Sequence, residues 1–165
     1  MKKLFLVLAF AFAGIFTANA QVWIGGGLGA QINKENTNLT ISPEIGYAIN
    51  NQWQLALGAG YTFDKLNGSN TINMLALEPY VRYVATTIGD KFSLFFDLTG
   101  DFGLIDASGW AATLRPGIAW MATEHWTAAF RFGFMGYDHG YYGADNGFFM
   151  NCDLAAPQIR LYYNF

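Results

Sequence analysis

Eight charged residues could do chemistry because they fall on one face of successive alternating runs: Glu44, Glu78, Arg82, Asp97, Asp101, Arg115, Arg131 and Arg160. Four are acidic, four are basic, and the set holds every arginine of the chain. In a low-dielectric interior such a balanced set would form a hydrogen-bonded ion network, since a buried charge without a partner is costly. The same residues could instead line a narrow ion path of both signs. A second group has the side-chain types for acyl transfer: His139 within Asp138-His139-Gly140-Tyr141-Tyr142, the hydroxyls of Ser69 and Ser108, and Asp106, Asp138 and Asp145 as orienting acids. No spacing signature joins them, and a histidine beside tyrosines is also an ordinary surface residue. Asp138, Asp145 and Asp153 with Asn146 and Asn151 could attract a divalent cation, but they lack the alternating oxygen ligands of a calcium loop. The Gly25-Gly-Gly-Leu-Gly29 run is no phosphate cradle, because neither a helix nor a lysine follows in the required place. Cys152 is the single cysteine, which leaves no intrachain disulfide or Cys-rich zinc site.

Composition bounds what could position these groups. The chain has 165 residues, enough for one domain, of which 53% are hydrophobic, 18% aromatic and only 13% charged. A soluble domain carries about 25% charged residues, so an ordinary water-facing surface is disfavoured. Abundant aromatics exclude a disordered chain, and a formal net charge of -3 offers no basic patch for nucleic acid. Mean hydropathy is only +0.20, so apolar residues must be interleaved with polar ones.

Residues 1–20 read as a secretory signal: a Met1-Lys2-Lys3 start, an apolar run from Leu4 to Phe16, and small residues ending at Ala20. This run of thirteen residues, broken only by Gly14, falls short of the roughly 20 that a spanning helix needs. Cleavage after Ala20 leaves residues 21–165 as one domain, with seven Lys and Arg against twelve Asp and Glu.

All four prolines sit in one repeated pattern, beginning at Pro43, Pro79, Pro116 and Pro157, with separations of 36, 37 and 41 residues. After the first three, a short polar segment leads into a new alternating run opening at Trp53, Phe92 or Trp126. The repeating unit is two strands, because the apolar period is 2 and not 3.6. One face carries Ile41, Ile45, Leu55, Leu57, Phe96, Leu98, Phe130, Phe132 and Phe134; the other carries glycines, Ser42, Gln54, Thr99 and the eight charges. With a glycine-rich first strand from Val22 to Ile32, eight strands are predicted.

A soluble barrel with the bulky face inward would overfill its lumen and expose a poor, glycine-rich surface. Reversed, small and charged residues fill the lumen and the apolar face meets lipid, which predicts an all-β, eight-stranded antiparallel up-and-down transmembrane barrel. Tight turns are expected near residues 50, 88 and 124, on the side of both chain ends. Longer connections around residues 34–35, 64–70, 104–109 and 138–151 would face outward, the last presenting Tyr141, Tyr142, Phe148, Phe149 and Met150 for recognition or as part of the aromatic belt. Trp53, Trp120, Trp126, Tyr47, Tyr83 and Phe165 would form the inner aromatic belt; Tyr61, Phe63, Phe102 and Trp110 would form the outer one. His125 and His139 then lie at opposite ends and cannot share a metal. Each proline lacks a ladder N–H, so irregularity is expected beside it.

The chain thus resembles the small eight-stranded outer-membrane β-barrel proteins of diderm bacteria (the outer membrane protein beta-barrel domain, a porin-like family), over all of residues 21–165. The most specific element is the last strand, Pro157-Gln-Ile159-Arg-Leu161-Tyr-Tyr163-Asn-Phe165. The resemblance implies that Ile159, Leu161, Tyr163 and Phe165 are read by periplasmic assembly machinery. It also implies chaperone escort and insertion into the bacterial outer membrane, among lipid and lipopolysaccharide, as a monomer. The expected function is a non-enzymatic membrane protein with a largely plugged polar lumen, serving envelope structure or surface interaction. A small porin-like channel and a lipid A-modifying enzyme stay open as alternatives, the latter because some similar barrels act on lipid A. No cofactor, metal or catalytic residue is assigned.

Overall fold

A computed structural model describes residues 21–32, 36–66, 71–105, 109–141, 145–152 and 158–165. The predicted signal, Pro157, and Ser69, Asp106, Ser108, Tyr142 and Asp153 lie outside the described residues.

The strands are β1 (Val22–Ile32), β2 (Asn36–Ala48), β3 (Trp53–Leu66), β4 (Thr71–Ile88), β5 (Phe92–Ile105), β6 (Trp110–Met121), β7 (Trp126–Arg131), β8 (Phe134–His139), β9 (Gly147–Asn151) and β10 (Gln158–Asn164). Each pairs antiparallel with its neighbours. Strands β1 to β6 follow in chain order, β6 pairs with β7, β7 with β10, and β10 with β1, which closes the ring. Towards the other end β6 pairs with β8 and β8 with β9. The ten segments form an eight-stranded closed barrel, with β7–β8 and β9–β10 each one interrupted wall strand. Closure removes the sheet edge at the end where the ring is complete.

The turns arise from local chemistry. Asn50 Oδ1 accepts hydrogen bonds from the Gln52 and Trp53 N–H groups at 2.8 Å each, and Thr123 Oγ1 accepts from the Trp126 N–H at 3.1 Å. Such side-chain acceptors replace backbone turn bonds. Gly89, at φ 60°, turns the chain between β4 and β5, a conformation that costs other residues strain.

The prolines have graded effects. The β2–β3 ladder skips Ser42 and Pro43, and the β4–β5 ladder skips Glu78 and Pro79, both without a change of register at those points. The register shifts in β4 lie elsewhere, between Leu75 and Ala76 and between Val84 and Thr86. At Pro116 the disturbance is larger, because the facing chain breaks between β7 and β8. There Phe132 N–H donates to the Pro116 carbonyl at 2.9 Å, and Gly133 takes φ 60°. A Cβ on Gly133 would run into the Asn151 carbonyl oxygen.

This break corrects two sequence expectations. Phe134 was expected on the apolar outer face, but the extra residue at the break reverses the alternation. Met135 now pairs with outward Leu114, while Phe134 lies on the other face and packs edge-on against Phe149 at 5.7 Å. Residues 147–151 were expected in a long outer loop but form β9, paired with β8. Phe148 and Met150 continue the outer wall, 90% and 70% exposed, and Phe149 shares the inward face with Gly136.

Candidate functional site

The barrel places one alternating set inward and the other outward. Ser42, Glu44, Arg82, Asp97, Thr99, Asp101, Thr113, Arg131 and Arg160 are buried, while Ile45, Leu55, Phe96, Leu98 and Leu161, one residue away in parity, are exposed. The eight charges meet in the lumen. Asp97 on β5 is fully buried and holds two arginines: Arg82 Nε and Nη2 donate to its two oxygens at 2.7 and 2.9 Å, and Arg131 Nε donates to Oδ2 at 2.7 Å. Arg160 Nη1 donates to Glu44 Oε2 at 2.8 Å, and its Nη2 stands 3.6 Å from Glu78. Asp101 accepts from Thr113 Oγ1 at 3.1 Å and from Arg115 Nη2 at 3.4 Å. Every one of the eight side chains therefore has an opposite charge within 4 Å.

Glycine lanes let these side chains reach one another. Arg160 crosses β1 to reach Glu44 on β2, and a Cβ on Gly27 would lie 3.3 Å from Arg160 Cγ. Gly58 separates Glu44 from Glu78 in register, and a Cβ there would touch both side chains at 3.5 to 3.6 Å. A Cβ on Gly60 would collide with Glu78 Oε1.

Sequence reasoning missed the aromatic residues of the lumen. Trp23, Phe95 and Tyr162 are buried towards the turns, and Tyr80 is buried among the charges, between Glu78 and Arg82 on β4. Trp23 and Tyr162 rings lie 4.5 Å apart, and the Arg82 guanidinium carbon sits 4.0 Å from the Phe95 ring centre, a favourable cation–π distance. Arg131 lies 4.8 Å from the Tyr80 ring centre, and Arg82 Nη2 donates to the Tyr162 hydroxyl at 3.2 Å. Each ring except Tyr80 has a glycine recess. A Cβ on Gly46 would strike Trp23, one on Gly25 would strike Leu161 O beside Tyr162, and one on Gly117 would strike Phe95. The available signal was parity, since Tyr80 lies between Glu78 and Arg82 and Phe95 two residues before Asp97.

The other candidates are more dispersed. His139 packs beside Trp110 at 5.6 Å, near the outer wall. His125, in the opposite turn, stacks on Tyr163 at 5.5 Å with its Nδ1 3.1 Å from the Asn164 carbonyl oxygen. Among the described residues neither histidine hydrogen-bonds a serine or carboxylate, and no group of three or more His, Cys, Asp or Glu is placed to hold a metal. Asp138 accepts from the Tyr141 N–H at 2.7 Å, a turn contact. Ile159, Leu161 and Phe165 are 56%, 50% and 68% exposed on the outer face of β10 and the chain end, with Tyr163 between Trp126 and Phe165. Trp53 packs at 4.8 Å from Tyr83 near the turns, and Tyr61, Phe102 and Trp110 are exposed nearer the other end.

No protein-family model matches the chain, and no curated protein does. Among solved structures, a designed transmembrane β-barrel is similar at 13% identity and a TM-score of 0.43, over 88% of this chain and 94% of that one. The outer membrane protein Ail of Yersinia pestis, determined in phospholipid bilayer nanodiscs, is similar at 12% identity and a TM-score of 0.51, over 88% of this chain and 98% of that one. This second likeness establishes the fold, an eight-stranded antiparallel barrel of the kind seen in an outer-membrane protein.

Proposed function

We propose that the protein is an integral outer-membrane barrel whose lumen is a structural plug, serving the envelope without enzymatic turnover. The single observation that carries this reading is the segregation of charge. Four arginines and four carboxylates pair inside, while the exposed face of every strand is aliphatic and aromatic. Water would be a poor solvent for that exterior, whereas a lipid bilayer satisfies it and the closed ladder satisfies the backbone. The buried rings of Trp23, Tyr80, Phe95 and Tyr162 beside the ion pairs support obstruction, because they occupy lumen space that a conducting path would need. On this reading residues 1–20 direct export, the barrel works as a monomer among outer-membrane lipid and lipopolysaccharide, and Ile159, Leu161, Tyr163 and Phe165 address the periplasmic assembly machinery.

Reconstitution tests both parts. Heat-modifiable gel mobility in lipid vesicles is expected for the barrel, and planar bilayers containing it should stay silent. Stable, reproducible conductance steps would replace the plug with a pore. Comparison of lipid A by mass spectrometry in cells with and without the protein should show an unchanged acylation pattern; a change would revive the enzymatic alternative.

A further inference from the structure

Beneath the aromatic layer, the turn end of the barrel opens into a vestibule of about 410 Å³, within the size range of small-molecule sites. Trp23, Phe95, Tyr162 and Arg82 form its deep end, and polar groups such as Gln54, Ser93 and Thr127 line its walls. Arg82 is 4% exposed. Its Nε and Nη2 are committed to Asp97 and Tyr162, whereas Nη1 makes no hydrogen bond among the described residues and is not among the atoms sealed away from solvent. The guanidinium is held from behind by the Phe95 ring, so its orientation is fixed before any ligand arrives.

The charge at this end is also uneven. Arg82 and Arg131 share the one carboxylate of Asp97, and the balancing negative charge sits farther from the vestibule, where Glu44 and Glu78 share Arg160. Asp90, Lys91 and Glu124 also line the vestibule, but they stand on exposed turns where salt screens them. The roof charge is buried and is screened much less. A ligand with a negative head and a flat apolar body would match both the unpartnered Nη1 and the surrounding rings, since planar carboxylates suit guanidinium donors.

We propose that this vestibule is a binding site for a small organic carboxylate, with Arg82 Nη1 donating to the carboxylate and Trp23, Phe95 and Tyr162 packing against the body. NMR titration of the barrel in detergent micelles with benzoate tests it. Saturable changes at the Trp23 indole and Arg82 Nε signals are expected in the millimolar range, and the neutral analogue benzamide should produce none. Ser93→Trp fills the vestibule without touching the Asp97 pairs and should weaken benzoate binding by at least about tenfold while gel mobility stays heat-modifiable. If that variant does not fold, Gln54→Trp on β3 serves the same purpose. Failure to saturate at tens of millimolar, an equal response to benzamide, or undiminished binding in the folded Trp variant would each overturn the site.

Discussion

The two halves of the lumen hold their charges differently. Towards the turns, Asp97 is wedged between two arginines with hydrogen bonds of 2.7 to 2.9 Å, and aromatic rings close off the space below. Towards the loops, Arg115 reaches Asp101 only at 3.4 Å, and in the middle Arg160 bonds the buried Glu44 at 2.8 Å while standing 3.6 Å from the less buried Glu78. Exposure differs in the same sense: the Asp97 side chain is 0% exposed, that of Glu78 15%, and in the Arg115–Asp101 pair the arginine is 15% and the carboxylate 5% exposed. A pair sealed from water on both sides must find all its partners in the protein, whereas a pair with one member that water still reaches tolerates a longer distance. Pairing distance therefore follows sealing, and the seal is aromatic.

The largest effect expected from this contrast is at its two carboxylates. Asp97→Asn leaves two buried guanidinium groups short of charge and should cost about 3 to 5 kcal/mol, against about 1 to 2 kcal/mol for Asp101→Asn, which weakens one long pair to a single arginine. Urea unfolding in vesicles, followed by gel mobility, measures both, and equal losses would erase the distinction between the halves. The glycines provide a steric version. Gly46→Leu displaces the Trp23 ring and should cost about 1 to 3 kcal/mol. Gly29→Ala, whose added Cβ would meet only Thr40 at 3.5 Å, should stay within about 0.5 kcal/mol. Combining Gly46→Leu with Trp23→Ala should cost less than the sum of the two single changes, because the ring that obstructs the leucine is gone.

The middle of the lumen allows a finer comparison around one arginine. Glu44→Gln breaks the 2.8 Å pair with Arg160 and Glu78→Gln the 3.6 Å one, so the first should lower stability about two- to threefold more in the same unfolding assay. Smallest of all, His125→Ala removes a stacked ring and one contact to Asn164 on an exposed turn. A loss below about 1 kcal/mol is expected, and a larger one would mean that the turn end is fixed from outside as well as by its aromatic layer.

The alternation of small or charged with apolar residues made the barrel legible, because a period of 2 fixes which side each residue faces once a strand is regular. The turns at Asn50 and Thr123 were legible for the same local reason. What escaped was whatever depends on a break in regularity or on shape. Phe134 changed sides because one extra residue opposite Pro116 reversed the parity, and neither Phe132 nor Gly133 announces that by type. Trp23, Tyr80, Phe95 and Tyr162 share the parity of the charges, but aromatic type alone draws such residues to the lipid belt. Their placement depends on recesses at Gly46, Gly25 and Gly117 on neighbouring strands, which become visible only in register. The ion pairs were legible only in part, because Asp97 directly faces both Arg82 on β4 and Arg115 on β6, yet it bonds Arg82 and the more distant Arg131.

The bond between Arg160 and Glu44 joins residues 116 positions apart, across the seam where the last strand meets the first. Until β10 docks, the lumen holds four carboxylates and three arginines, and Glu44 and Glu78 both lack their cation. Neutrality of the interior is thus a property of the finished ring alone. A sheet without its last strand would carry an unbalanced negative charge that Arg160 cancels, so the charge pattern favours complete closure.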